Sequence, residues 1–295
     1  MGNIGRRIIL TIFTLVAVYL SWSDAKTGKI NANGLSLAFE EEGAGQPLIL
    51  IHGSVSDYRE WSEQIPAFAR NYRVIAVSRR YHWPNAVPDS NADASVERQT
   101  EDLAAMMREL NLPSANIIGH SFGGLIALNF ALHYPKLVRS LILAEPGASG
   151  VLGNSPADNS VTKEAQTVRA EMKEAFASGD SERIVRTYAD HVAPGEFEKA
   201  SPQLRQMLFA NVAAFQLDFT SPRPTFTCDD ARKIAIPVLV ISGDHSPKGL
   251  QQIAQAVAGC IKNAKFVRIP EATHWMQHDH AEAFNRAVLA FLNRS

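Results

Sequence analysis

The chain has 295 residues, 46% of them hydrophobic and 20% charged, enough for one large core with room for an inserted subdomain. A net charge of −1 and the lack of any Lys/Arg cluster exclude a surface built for nucleic acid or another polyanion. Two cysteines, Cys228 and Cys260, leave both a disulfide and a pair of free thiols open.

Arg6 and Arg7 precede an apolar run, Ile8 to Leu20, and Ser23-Asp24-Ala25 places small residues at the −3 and −1 positions of a cleavage site after Ala25. This pattern predicts a signal peptide over residues 1–25 and an exported protein, periplasmic or secreted, with no stable membrane association after cleavage. The run is short for a spanning helix, which needs about 20 residues, although an uncleaved N-terminal anchor is the alternative.

Lys29–Asn31 and Leu35–Glu40 alternate in polarity around Asn33-Gly34, which predicts a hairpin. Pro47–Ile51 is apolar on both faces and belongs inside a sheet covered on both sides; it runs into His52-Gly53-Ser54. A helix is expected over Tyr58–Ala69, a strand over Tyr72–Val77, and a loop over Ser78–Ala94. Ser95 then caps a helix through Leu110. The short apolar run Asn116–Ile118 ends at Gly119, and from Phe122 onward apolar residues recur with helical spacing. Ser121 therefore stands at the apex of a strand–turn–helix segment, Gly119-His120-Ser121-Phe122-Gly123, whose glycines permit a tight turn.

Val138–Leu143 is a further buried strand, ending in Ala144-Glu145. Residues 148–231 break the strand–helix rhythm. Helical patterns around Lys163–Ala177, Ser181–His191 and Pro202–Asn211 predict a helical cap, with Phe176, Tyr188, Phe209, Phe215 and Phe219 either shaping a pocket or packing the cap itself. Alternation resumes with a strand over Pro237–Ser242, a helix over Gly249–Ala258, a strand over Ala264–Ile269 and a helix over Ala281–Asn293. The fold class is α/β, a mostly parallel sheet with helices on both faces, its core formed by residues 26–147 and 232–295.

A serine hydroxyl becomes a nucleophile only when a base takes its proton, so a histidine and an orienting carboxylate are expected near Ser121. His274, in the loop after the last strand, is the expected base. On these residues the chain resembles the α/β-hydrolase superfamily, in its serine-nucleophile, capped form, over nearly all of residues 27–295. The resemblance implies an oxyanion hole formed by the backbone N–H groups of Ser54 and Phe122. It also implies an acid after the strand that follows the cap, where the sequence reads Gly243-Asp244-His245-Ser246. The slot for the catalytic Asp holds Ser246, which puts Asp244 in question. Glu145, after the strand that precedes the cap, is favoured instead, because a carboxylate buried unpaired at a strand end is costly.

His52, Tyr81 and Trp83, with His82, are expected around the pocket, since loops at strand carboxyl ends line it in open α/β sheets. His52 and His120 are read as structural. His274, His278, Asp279 and His280 lack further ligands at zinc spacing, so no metal is expected, and no cofactor is implied. The expected activity is hydrolysis of a small carboxylic ester or lactone through an acyl-enzyme. Cleavage of a carbon–carbon bond and non-catalytic ligand binding are the alternatives. Substrate identity and oligomeric state are not encoded in these motifs.

Overall fold

The computed structural model describes residues 25–89, 92–153 and 156–294, the side chains of 156–160 excepted. The expected signal peptide, residues 1–25, lies outside them apart from Ala25.

Eight strands form one sheet: β1 (Lys26–Ala32), β2 (Leu35–Glu42), β3 (Gln46–Ile51), β4 (Tyr72–Val77), β5 (Ala115–His120), β6 (Val138–Ala144), β7 (Val238–Gly243) and β8 (Lys265–Ile269). Their order is β1-β2-β4-β3-β5-β6-β7-β8. The pairs β1/β2 and β2/β4 are antiparallel, and every other pair is parallel. Asn33 and Gly34 take φ of 48° and 82° and close the first hairpin with Ala32 opposite Leu35, the geometry that Asn-Gly favours.

Because side chains alternate across a strand, the apolar runs feed two cores. Ile49, Ile51, Ile117, Leu141, Leu143 and Val240 face one side of the sheet, where the helices Val96–Glu109, Ser121–His133 and Lys248–Cys260 pack. Leu48, Leu50, Ile118, Ile142, Leu239 and Ile241 face the other, against Trp61, Phe68 and the closing helix Ala281–Leu292. The helix expected over Tyr58–Ala69 is instead a 3-10 turn, Tyr58–Trp61, followed by a short helix, Ile65–Phe68. Pro66 is the reason: within a continuous helix it would lack a donor and crowd the carbonyl one turn back, so it sits in the first turn of a new one.

Between β6 and β7 the chain is helical: Pro156–Ser178, Ser181–Val192, Glu196–Lys199, Pro202–Ala210 and Val212–Thr220. The last of these had no distinct expectation, since its apolar sequence carries no clear polar face. These helices share a third core, in which Ile184, Val185, Phe197 and Phe215 meet Val55 and Trp275 from the loops above the sheet. Cys228 and Cys260 form a disulfide that joins the start of the helix Cys228–Arg232 to the end of Lys248–Cys260.

Candidate active site

The strand order turns around between β3 and β5. β4 lies on one side of β3, and the chain returns on the other side with β5, so the loops after β3 and β5 diverge and leave a crevice above their carboxyl ends. Ile51 and Gly119 are register partners at that point. His52-Gly53-Ser54 and His120-Ser121 are therefore brought side by side by the sheet itself.

Ser121 has φ of 52°, a left-handed conformation that a residue with a Cβ adopts only under constraint. The strain belongs to the serine, while the flanking glycines serve close packing. A Cβ on Gly119 would lie 2.6 Å from the Gly123 carbonyl oxygen, and one on Gly123 would lie 2.4 Å from the carbonyl oxygens of Ile51 and His52. The helix starting at Ser121 can thus press against β3 and lift the hydroxyl to the top of the turn. The Phe122 N–H lies in the first helical turn, where amides have no intrahelical partner and carry partial positive charge.

His274 follows β8, and its Nδ1 lies 2.7 Å from Glu145 Oε2. A carboxylate only accepts, so Nδ1 carries the proton and Nε2 is left with a lone pair. Nε2 is buried and has no hydrogen-bond partner. Glu145 is itself at φ 42° and fully buried, and its Oε1 accepts from Ser242 Oγ (2.7 Å) and the Gly243 N–H (3.0 Å). Asp244 is exposed, and its carboxylate accepts the Glu271 N–H instead of reaching the histidine. Burial, then repulsion from His120, lowers the His274 pKa against the pull of Glu145, which keeps the imidazole neutral and able to take a proton.

Two buried networks brace these loops. In the first, Glu60 accepts the Gly53 N–H (3.1 Å) and lies 3.0 Å from His120 Nδ1, while His120 Nε2 lies 2.9 Å from the His274 carbonyl oxygen. Both nitrogens of His120 face acceptors. Burial opposes a charge on His120, but Glu60 outweighs it and raises the pKa; burial likewise opposes the Glu60 carboxylate, and His120 outweighs it and lowers that pKa. In the second network, Arg79 donates to the carbonyl oxygens of His52 (3.2 Å) and Gly53 (2.8 Å) and to both carboxylate oxygens of Asp218 (2.7 and 3.3 Å). His52 Nε2 accepts the Arg79 N–H, so His52 is neutral, and burial, then Arg79, pushes its pKa well down. Burial would raise the Asp218 carboxyl, yet the charges of Arg79 and His82 hold it at about 2.

Ser54, Ser121, Phe122 and His274 line one cavity of about 480 Å³ under the cap. Of the cap aromatics, Tyr188, Phe215 and Phe219 line it; Phe176 packs behind the last two, and Phe209 lies against Phe197, half-exposed. His52, Tyr81 and Trp83, expected around the pocket, do not line this cavity. His52 is sealed beneath the loop, and Trp83 lies under the Arg59 guanidinium at 3.8 Å, with its backbone N–H donating to Asn211 Oδ1. His82 is likewise buried, held by Ser56 and Asp218. Asp279 accepts from the Thr273 N–H and hydroxyl and from His280, so the cluster considered for a metal serves to fold the histidine loop. Among the described residues no three His, Cys, Asp or Glu side chains converge as a ligand set.

Residues 46–281 match the family model for the α/β hydrolase fold, and the chain is an α/β hydrolase. It is 28% identical over 278 residues, 90% of each chain, to the 2-hydroxy-6-oxo-6-(2'-aminophenyl)hexa-2,4-dienoic acid hydrolase of Metapseudomonas resinovorans. It is 26% identical to the (E)-2-((N-methylformamido)methylene)succinate hydrolase of Acinetobacter baylyi, over 88% of this chain and 95% of that one. Among solved structures, a thermophilic esterase from Thermogutta terrifontis superposes with a TM-score of 0.71 at 25% identity, covering 92% of this chain and 99% of its own.

Proposed function

We propose that the chain is a serine hydrolase that cleaves a small carboxylic ester or lactone through an acyl-enzyme. Ser121 attacks the carbonyl, His274 Nε2 takes the hydroxyl proton and returns it to the leaving group, and Glu145 fixes the tautomer and stabilises the imidazolium. The Ser54 and Phe122 N–H groups receive the oxyanion. Metal and cofactor take no part in this scheme. The observation that carries it is the polarity of His274: Nδ1 is committed to Glu145, and Nε2 is unpartnered beside the cavity that Ser121 lines. Export is proposed with it. The Cys228–Cys260 disulfide supports that reading, because such bonds persist in oxidising compartments.

A second reading, hydrolysis of a carbon–carbon bond next to a ketone, draws on the relative from Metapseudomonas resinovorans, whose name specifies a hexadienoic acid hydrolase. The test of the first reading is intact mass and peptide mapping after a fluorophosphonate. One adduct on Ser121, absent in His274→Ala, is expected, together with a burst of acyl-enzyme on p-nitrophenyl esters. A labelled Ser121 without any acyl-enzyme on esters would transfer the assignment to carbon–carbon cleavage. An unlabelled, folded protein would refute a nucleophilic serine.

A further inference from the structure

The cavity beside Ser121 carries a guanidinium that the proposed chemistry does not use. Arg223 follows the cap helix Val212–Thr220 and lines the cavity wall, with its guanidinium carbon 4.8 Å from the centre of the Phe122 ring. Arg79 lies 4.9 Å from the same ring centre but is saturated by Asp218, Gln99 and two carbonyls. Arg223 is not: among the described residues it forms no ion pair, and its one hydrogen bond, 3.3 Å long, goes to the Asp218 carbonyl oxygen. Arg223 is exposed, so its guanidinium meets solvent as well as the cavity it lines.

On the wall beside Phe122, Phe215, Phe219 and Val168, a guanidinium with no carboxylate partner among the described residues is free to pair with an anion that enters the cavity. The other charged groups on the cavity wall narrow what that is. Arg169 also lines it, stacked on Phe219 at 5.3 Å, and Glu164 contributes one carboxylate beside Gly249. His191 is bound to Glu171, and His274 to Glu145. Two arginines against one glutamate leave a single excess positive charge, which suits a monoanion.

We propose that Arg223 recognises a carboxylate on the substrate, so that the cavity takes an ester or lactone bearing an acidic group away from the scissile carbonyl. This rests on the serine-hydrolase reading for the identity of the scissile bond, although the recognition of the anion stands apart from it. The planar fork of the guanidinium matches a carboxylate bidentately, and Phe122, the residue after the nucleophile, ties that fork to the reacting centre.

The test compares two p-nitrophenyl esters of equal shape: the glutarate half-ester, with a free carboxylate, and the 5-methylhexanoate ester, in which an isopropyl group replaces it. The full chain is expected to favour the acidic ester by about tenfold or more in kcat/KM, the worth of a charge-assisted hydrogen bond. In Arg223→Gln that ratio should collapse, and in Arg223→Lys, which keeps the charge without the fork, it should fall part-way. A wild-type ratio at or below one, or a ratio unchanged in Arg223→Gln, would overturn the proposal. Binding separates this from the catalytic reading: monomethyl glutarate, a monoanion like the half-ester, should raise the Tm of Ser121→Ala, and the rise should vanish when Arg223→Gln is added. A rise without turnover of either ester would retain the carboxylate site and remove the esterase assignment. The absence of a rise would remove the site.

Discussion

Arg79 and Asp218 form a bidentate ion pair in which both side chains are nearly excluded from water, 3% and 1% exposed. Arg79 comes from the loop after β4 and Asp218 from a cap helix, and the same guanidinium holds the carbonyl oxygens of His52 and Gly53. The cap is thus fastened directly to the loop proposed to bind the oxyanion.

Breaking the pair strands a buried charge. Asp218→Asn or Arg79→Met should each cost about 3–5 kcal/mol, whereas the double replacement should recover much of that loss. Urea titration of the four proteins measures the coupling. Additive losses would mean that the two side chains act separately.

Glu145→Gln leaves a residue of the same shape that no longer enforces the Nδ1–H tautomer of His274. A fall in kcat on the order of 10³–10⁴ is expected, from the measured behaviour of such an orienting carboxylate elsewhere. Asp244→Asn should stay within about threefold, as a surface substitution does. Steady-state kinetics on one ester decides, and the reverse ranking would refute the assignment of the acid.

In its proposed role as base His274 must be neutral, and burial lowers its pKa below the ordinary 6.5. The kcat/KM profile should therefore rise with pH through an apparent pKa below 6.5 and be flat at neutrality. An acid limb centred above 7 would contradict this.

The Glu60–His120 pair has its own pH window. Glu60 is lowered from 4.5, so its contribution to stability is present above that value and lost as pH falls through the folded pKa. His120 is raised from 6.5, so its contribution is complete below that value and lost as pH rises through the folded pKa. Both are in force between 4.5 and 6.5. The Tm difference between the wild type and Glu60→Gln should be largest there and shrink on either side; a difference independent of pH would mean that charge plays no part.

The features legible in the sequence were those whose cost is local. Two-sided apolar runs specified the strands, and the strand–turn–helix context marked Ser121. The penalty for burying a carboxylate at a strand end favoured Glu145 over Asp244, and the structure places Glu145 against His274. The same argument applied to Ser78-Arg79-Arg80, directly after the apolar strand β4, would have flagged both arginines as buried and paired; in the structure their partners are Asp218 and Asp102. It could not have named their partners, because the pairing of Arg79 with Asp218 spans 139 residues and depends on how the cap docks. Tyr81 and Trp83 were misplaced for a related reason. Sheet topology puts their loop at the correct end, but Asn85, bonded to Ala38, Ser78 and Arg79, folds it away from the cavity.

The helical insertion enters after β6, downstream of both Ser121 and Glu145. The proposed nucleophile and acid therefore belong to one uninterrupted strand–helix–strand unit, β5 through β6, and of the three proposed catalytic residues only His274 lies beyond the cap. Had the acid followed β7, every change in cap length would have altered the tether between it and the serine. Here the insertion can be lengthened, shortened or exchanged during divergence while those two groups keep their spacing, provided the new cap still presents an anion to Arg79.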